Sequence, residues 1–239
     1  MFIYFLEING SYMQLLTKSK YMSGLQCPQY LWMLFNAKNQ IPEPDAATQF
    51  SFDQGNEVGN IAKQWFPDGI DLSEADFMPN IKKTKQLIKK KKIIFEAGIK
   101  AGNLYSRADI LIPVGVGKWD IIEVKSSTSV KEEHYHDLSF QKFCYEKAGI
   151  TIRKCFLMHI NNEFIKHGDI DPKEILIQED VTDEVKEAMK GNVYWGGVVF
   201  AEMPKYEPAK KIGGIEIPIV DQTPSPHIRQ VTQWLKKRN

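Results

Sequence analysis

Two short segments carry residue types suited to phosphoryl chemistry. Asp109 lies in the apolar run Leu104 to Val114, and the triplet Glu123-Val124-Lys125 closes the next such run. Along an extended strand, residues two apart share a face. Glu123 and Lys125 are therefore expected to project together, with Val124 turned into the core. If the two runs pair as strands, Asp109 can face the same cleft. Two carboxylates on neighbouring strands can hold a hard divalent cation such as Mg²⁺ or Mn²⁺, leaving positions for water and a phosphate. Such an ion would polarise a phosphodiester and lower the pKa of a bound water. An adjacent ammonium would position that water or stabilise charge on the phosphate.

The triplet alone carries little information, because Glu184-Val185-Lys186 repeats it in a polar stretch of helical character. There, residues two apart point in different directions. Strand context and a preceding Asp distinguish the first copy. A plainer reading makes Asp109 a strand-start residue and Glu123 with Lys125 a surface ion pair. Against it, both acids adjoin apolar runs (Ile110-Leu111-Ile112 and Ile121-Ile122). Burying a charge there is costly unless it is paired or binds metal. Gln141 and Tyr145 add a second pair, four apart and so on one face of a helix. Gln can hydrogen-bond a phosphate or a metal-bound water. The plain alternative leaves Gln141 in solvent and Tyr145 as a core aromatic with a wet hydroxyl.

These residues need elements to hold them. Thr17 or Ser19 can cap a helix to about Phe35, bent or restarted at Pro28. A second helix is expected from about Ala46 to Trp65, and a short basic helix over 80–92, with Ile81, Leu87 and Ile88 turned inward. Ile93 to Ile99, Leu104 to Val114 and Trp119 to Lys125 are rich in β-formers. Ala101-Gly102-Asn103 and Gly115-Val116-Gly117 separate them, which suggests hairpins. A helix over Lys131 to Lys147 should stop at Gly149. Further strands follow at Arg153 to Ile160 and Glu174 to Gln178, then a helix capped by Thr182 and a short tail helix at 228–235. The order describes an α/β domain: a mixed sheet with a three-strand antiparallel meander, flanked by helices.

The chain has 239 residues, 43% hydrophobic and 26% charged, with a net charge of +1. That suits one domain of residues 13–190 with an extension of uncertain role, 191–239, which could dock a protein partner or be the stub of a further domain. The near-zero charge gives no global basic field, so any nucleic-acid surface must be local. Cys27, Cys144 and Cys155 are odd in number and unpaired in spacing, which argues against a disulfide framework and for a reducing cytoplasm. No apolar run reaches the roughly 18 residues of a membrane helix. The opening MFIYFL lacks a basic leader, and Met13 is an alternative start.

The combination of Arg107 and Asp109 on one strand, Glu123 and Lys125 on the next, and Gln141 and Tyr145 on the following helix resembles the RecB-type branch of the PD-(D/E)XK nucleases. That branch includes the CRISPR-associated exonucleases. The stretch Leu16 to Trp32 also resembles its opening helix, and the likeness covers roughly residues 14 to 190. The resemblance implies a restriction-endonuclease-like core and a Mg²⁺-dependent phosphodiesterase acting on DNA. Asp109 and Glu123 would be the metal ligands and Lys125 the catalytic lysine; Gln141 and Tyr145 would shape the site and touch DNA. Many relatives have a His where Gly59 stands here, as a further metal ligand; Glu57 and Glu96 are the carboxylates that could substitute. Iron–sulfur relatives use one N-terminal Cys and three near the C-terminus. Cys27 matches the first, but no Cys follows Cys155, so no cluster is expected and Cys27 reads as a small buried residue.

Lesser signals remain open. Seven lysines between Lys82 and Lys92 could be a solvated helix face or a phosphate contact. His134, His136 and Asp137 read as an exposed helix start, His159 and His167 as structural, and Trp65, Trp119, Trp195 and Trp234 as anchors. The rival to a nuclease is a non-catalytic module of the same fold that binds nucleic acid or a protein. It predicts that Asp109 and Glu123 do not share reach of one cation.

Overall fold

Helix caps and prolines set the first elements. The structure, a computed structural model, describes residues 6–8, 11–13, 15–192, 207–212 and 215–219. The chain divides into two units, Met1–Lys190 and Gly191–Asn239. In the first, β1 (Leu6–Ile8) pairs antiparallel with β2 (Ser11–Met13). After β3 (Leu16–Thr17), the Thr17 side chain accepts the Lys20 N–H and starts α1 (Lys18–Gln26). Pro28, at the first position of α2 (Pro28–Asn36), restarts the helix. Its missing N–H is tolerated there. Then follow α3 (Ala46–Lys63), capped by Asp45, β4 (Ile70–Asp71) and α4 (Phe77–Lys89).

The three β-rich runs become β5 (Ile94–Ala101), β6 (Leu104–Val114) and β7 (Lys118–Lys125). Gly102, at φ +62°, makes the turn from β5 to β6 in a left-handed conformation that glycine takes without strain. Next come α5 (Glu132–Lys147) and β8 (Thr151–Ile160). The expected strand at Glu174 to Gln178 begins later. Asp171 caps a turn of helix, α6 (Pro172–Ile175), with Pro172 at its start, and β9 covers Leu176–Asp180. Helix α7 is Thr182–Asn192. In the second unit β10 (Glu207–Ile212) and β11 (Ile215–Ile219) pair antiparallel. The expected tail helix, Trp195 and Trp234 lie outside the described residues.

The first unit is mixed α/β. Its sheet has seven strands in the order β4-β5-β6-β7-β8-β9, with β3 beside β6, and helices flank it. The antiparallel run β5-β6-β7 is only part of this sheet. β3–β6, β4–β5 and β7–β8 are parallel pairs. Such pairs need crossovers, and α5 supplies the one between β7 and β8. On one face, Val58 and Ala62 of α3 pack with Phe95, Ile110, Ile122, Met158 and Leu176. Alternation sends Asp109 and Glu123 to the other face, which α5 covers.

One detail of the sheet creates the site. β3 pairs with β6 at Leu104 and Tyr105, on the edge that β7 occupies further along. The β6–β7 ladder runs only from Val114↔Lys118 to Ile110↔Ile122. Beyond it β7 continues on β8 alone, through Lys125↔His159. The strands therefore part at Asp109 and Glu123, and the start of α1 enters beside the gap.

A candidate metal and phosphate site where two strands part

Parting strands leave backbone groups without ladder partners, and each must find another. The Val124 N–H finds Asp109, donating to its Oδ2 at 2.7 Å. This bond ties Asp109 to the very triplet that carries Glu123 and Lys125. Val124 itself turns its side chain to the core cluster. Glu123 is buried, and its neighbour by alternation, Lys125, donates to Glu123 Oε1 at 2.7 Å.

Helix α5 supplies the next layer. Asp137 Oδ2 accepts from Lys125 at 2.6 Å. Gln141 donates through Nε2 to Glu123 Oε2 at 2.5 Å and to Asp137 Oδ1 at 3.0 Å. Both of its neighbours here are carboxylates, so the amide must present its NH₂ to them. Gln141 Oε1 is buried with no partner among the described residues.

Two expectations for α5 are corrected. Gln141 and Tyr145 are both fully buried, so Gln141 does not stand in solvent and the Tyr145 hydroxyl is not wet. The Tyr145 hydroxyl bonds to the Ala97 carbonyl and accepts the Ala108 N–H at 3.3 Å, bracing β5 against β6. Gln141 orients Glu123 from within. The group His134, His136 and Asp137 is also not an exposed helix start. All three are buried, because α5 lies on the sheet from its first turn. Burial lowers the pKa of both His134 and His136. His134 accepts the Lys131 N–H in the helix cap.

Sequence reasoning missed Lys18 and Asp137. Lys18, the first residue of α1, donates to Glu123 Oε1 at 2.7 Å and stands 3.5 Å from Asp137 Oδ1. No local signal marks it, since a lysine at a helix start is ordinary. Glu96 is also at hand. It makes an ion pair with Arg107 at 3.0 Å, and its charge is felt at Asp109. Its φ of +55° places it in the left-handed region within a strand. Buried Asn80 holds that distortion, donating to the Glu96 carbonyl at 2.9 Å and accepting the Gly98 N–H at 2.8 Å. A Cβ at Gly98 would meet Asn80 Oδ1 at 2.2 Å, so this approach requires glycine. Glu57, by contrast, is exposed on α3, and a Cβ at Gly59 would meet open space.

The electrostatics follow from burial and neighbours. Burial first, and then the charge of Glu123, push the Asp109 carboxyl up to about 8. Burial also works to raise Glu123, but Lys125 and Lys18 outweigh it and hold that carboxyl well below the usual range. Burial opposes the charges on Lys125 and Lys18, and the surrounding carboxylates outweigh it, raising both.

The donor set suits a hard divalent cation with few protein ligands. Two carboxylates lie at the parting strands, and a dication beside them would relieve the repulsion that Asp109 expresses. Mg²⁺ is commonly held by one or two carboxylates plus waters and phosphate. Among the described residues no group of three or more His, Cys, Asp or Glu side chains gathers for a metal.

Other expectations resolve simply. Cys27 is exposed at the junction of α1 and α2, not buried, because Pro28 breaks the helix there; Cys144 and Cys155 are buried, and all three are free. The seven lysines from Lys82 to Lys92 are all exposed. Trp119 and His159 are buried, and His159 meets Glu179 at 2.7 Å. Among the described residues no helix is long and apolar enough to cross a membrane.

No family model matches the chain, and no curated protein matches it. Among solved structures, the crystal structure of SSO0001 is similar at 14% identity, over 82% of this chain and 86% of that chain, with a TM-score of 0.37. A likeness of that size leaves function to be read from the site.

Proposed function

We propose that the protein is a metal-dependent nuclease of the RecB-type branch of the PD-(D/E)XK superfamily. It would hydrolyse DNA phosphodiester bonds at ends or in single strands. The supporting observation is the parting of β6 and β7 at Asp109 and Glu123, joined by the bond from the Val124 N–H to Asp109 Oδ2 at 2.7 Å. In this reading residues 13–190 form a restriction-endonuclease-like domain around the β5-β6-β7 meander, and 191–239 form an extension able to dock a partner. Three free cysteines accord with work in a reducing cytoplasm.

Asp109 and Glu123 would hold Mg²⁺ or Mn²⁺. When bound there, the ion supplies a polarised phosphate and a more acidic water. Lys125, anchored by Glu123 and Asp137, holds its proton and directs positive charge at the reacting phosphate. Gln141 keeps Glu123 in its rotamer. Asp109 must be ionised to act as a ligand, so the reading expects proton release on metal binding.

One observation favours the non-catalytic reading: both oxygens of Glu123 already accept hydrogen bonds from Lys18, Lys125 or Gln141. The two readings separate on end-labelled single- and double-stranded DNA in Mg²⁺, Mn²⁺ or EDTA. Metal-dependent degradation that Glu123→Ala and Lys125→Ala abolish supports the nuclease. Binding of DNA with every substrate intact in either metal favours the module.

A further inference from the structure

Resting on that proposed reading, we infer that Lys18 is a substrate-binding residue. Its ammonium turns from Glu123 to a backbone phosphate of the nucleic acid, while Lys125 stays in place. The two lysines differ in how they are held. Lys125 has two close carboxylate partners, Glu123 at 2.7 Å and Asp137 at 2.6 Å. Lys18 has one close partner, Glu123 at 2.7 Å, and one looser, Asp137 at 3.5 Å. Both ammonium groups bond the same oxygen, Glu123 Oε1, where two like charges oppose each other. Lys125 and Gln141 already satisfy Glu123, so the second ammonium is surplus to holding it. Both lysine side chains are a quarter exposed, enough for an anion to reach them.

The chain also invests in placing Lys18. Leu16 is buried and its N–H donates to Asn103 O at 2.9 Å. β3 then pairs with the strand that carries Asp109, and Thr17 caps α1. One turn on, buried Tyr21 stacks on Phe140 of α5 at 4.8 Å between ring centroids. These anchors deliver Lys18 to the gap between β6 and β7. The carboxylates beside it, Glu123 and Asp137, would repel a phosphate unless cations face it. Lys20 cannot do this: it donates to Leu15 O at 3.1 Å and sits over the Phe35 ring.

The test is fluorescence anisotropy with a labelled single-stranded oligonucleotide, titrated with salt in EDTA and again in Ca²⁺. Wild type is compared with Lys18→Gln, which keeps a hydrogen-bond donor for Glu123, and with Lys18→Arg. Loss of one phosphate contact lowers the slope of log affinity against log salt by about 0.7 for single strands. Lys18→Gln is expected to show that loss and bind several-fold more weakly at low salt, with Lys18→Arg restoring the slope. A folded Lys18→Gln with wild-type affinity and slope but a lower melting temperature overturns the inference, leaving Lys18 a structural partner of Glu123 and the nuclease reading intact. A wild type that binds no oligonucleotide in either buffer overturns both together.

Discussion

Asp109 Oδ2 accepts the Val124 N–H at 2.7 Å, across strands whose ladder has already ended at Ile110↔Ile122. A side chain here replaces a backbone partner. The parting of the strands at Asp109 and Glu123 is thereby stabilised, because moving Asp109 away would orphan the Val124 N–H.

That arrangement has a cost that depends on pH. The Asp109 carboxyl is raised to about 8 by burial and by Glu123, above its value of about 3.9 in an unfolded chain. The folded state therefore binds more protons than the unfolded state between those values. The stability from this group is present below the lower value and is lost as pH rises through the upper one. Asp109→Asn keeps an acceptor for Val124 and removes the charge. In EDTA, urea denaturation should find the variant more stable than wild type by about 1–3 kcal/mol near pH 9, with the gap closing towards about pH 5. A gap that does not change with pH would disprove the assignment.

Gln141 is tested by changing its donors. Gln141→Leu removes the NH₂ that serves Glu123 and Asp137 and should cost about 1–3 kcal/mol. Gln141→Glu sets a third carboxylate against those two and should cost more, on the order of 3–5 kcal/mol at neutral pH. Denaturation curves that rank the two variants the other way would show that the amide does not face the carboxylates.

Tyr145→Phe separates structure from substrate contact. Its hydroxyl serves Ala97 O and Ala108 N within the sheet, so its loss should lower stability by about 1–3 kcal/mol. Affinity for DNA should not change well below the melting point. A variant of normal stability that binds DNA poorly would return Tyr145 to the substrate surface.

Glu96 tests the strained backbone. Its left-handed φ of +55° costs an L-residue roughly 1–2 kcal/mol. Both Glu96→Gly and Glu96→Ala lose the ion pair to Arg107, but only glycine relieves the backbone. Glu96→Gly should therefore be the more stable of the two by about 1 kcal/mol. Equal melting temperatures would mean that the conformation carries no strain.

Much of the local structure was legible in the chain. Thr17 and Pro28 mark the first two helices because a hydroxyl cap and a missing N–H act within one turn. β-rich runs between short glycine turns placed β5, β6 and β7 to within two residues. Local chemistry did not show that Lys118–Lys125 also has β8 as a parallel partner, nor that Asp137 lies under the sheet. Burial of a helix start depends on what the helix lands on.

For the site, alternation along an extended chain by itself put Glu123 and Lys125 on one face and Val124 on the other. Those are consequences of backbone geometry at fixed spacing. Tertiary structure decided the rest: that β6 and β7 part where the two acids stand, that Tyr145 is spent on the backbone, and that Lys18 reaches Glu123 across 105 positions of chain. Such relationships depend on register and on how helices dock, and no short-range pattern encodes them. The charge of a buried group is set by whichever partners the fold brings to it.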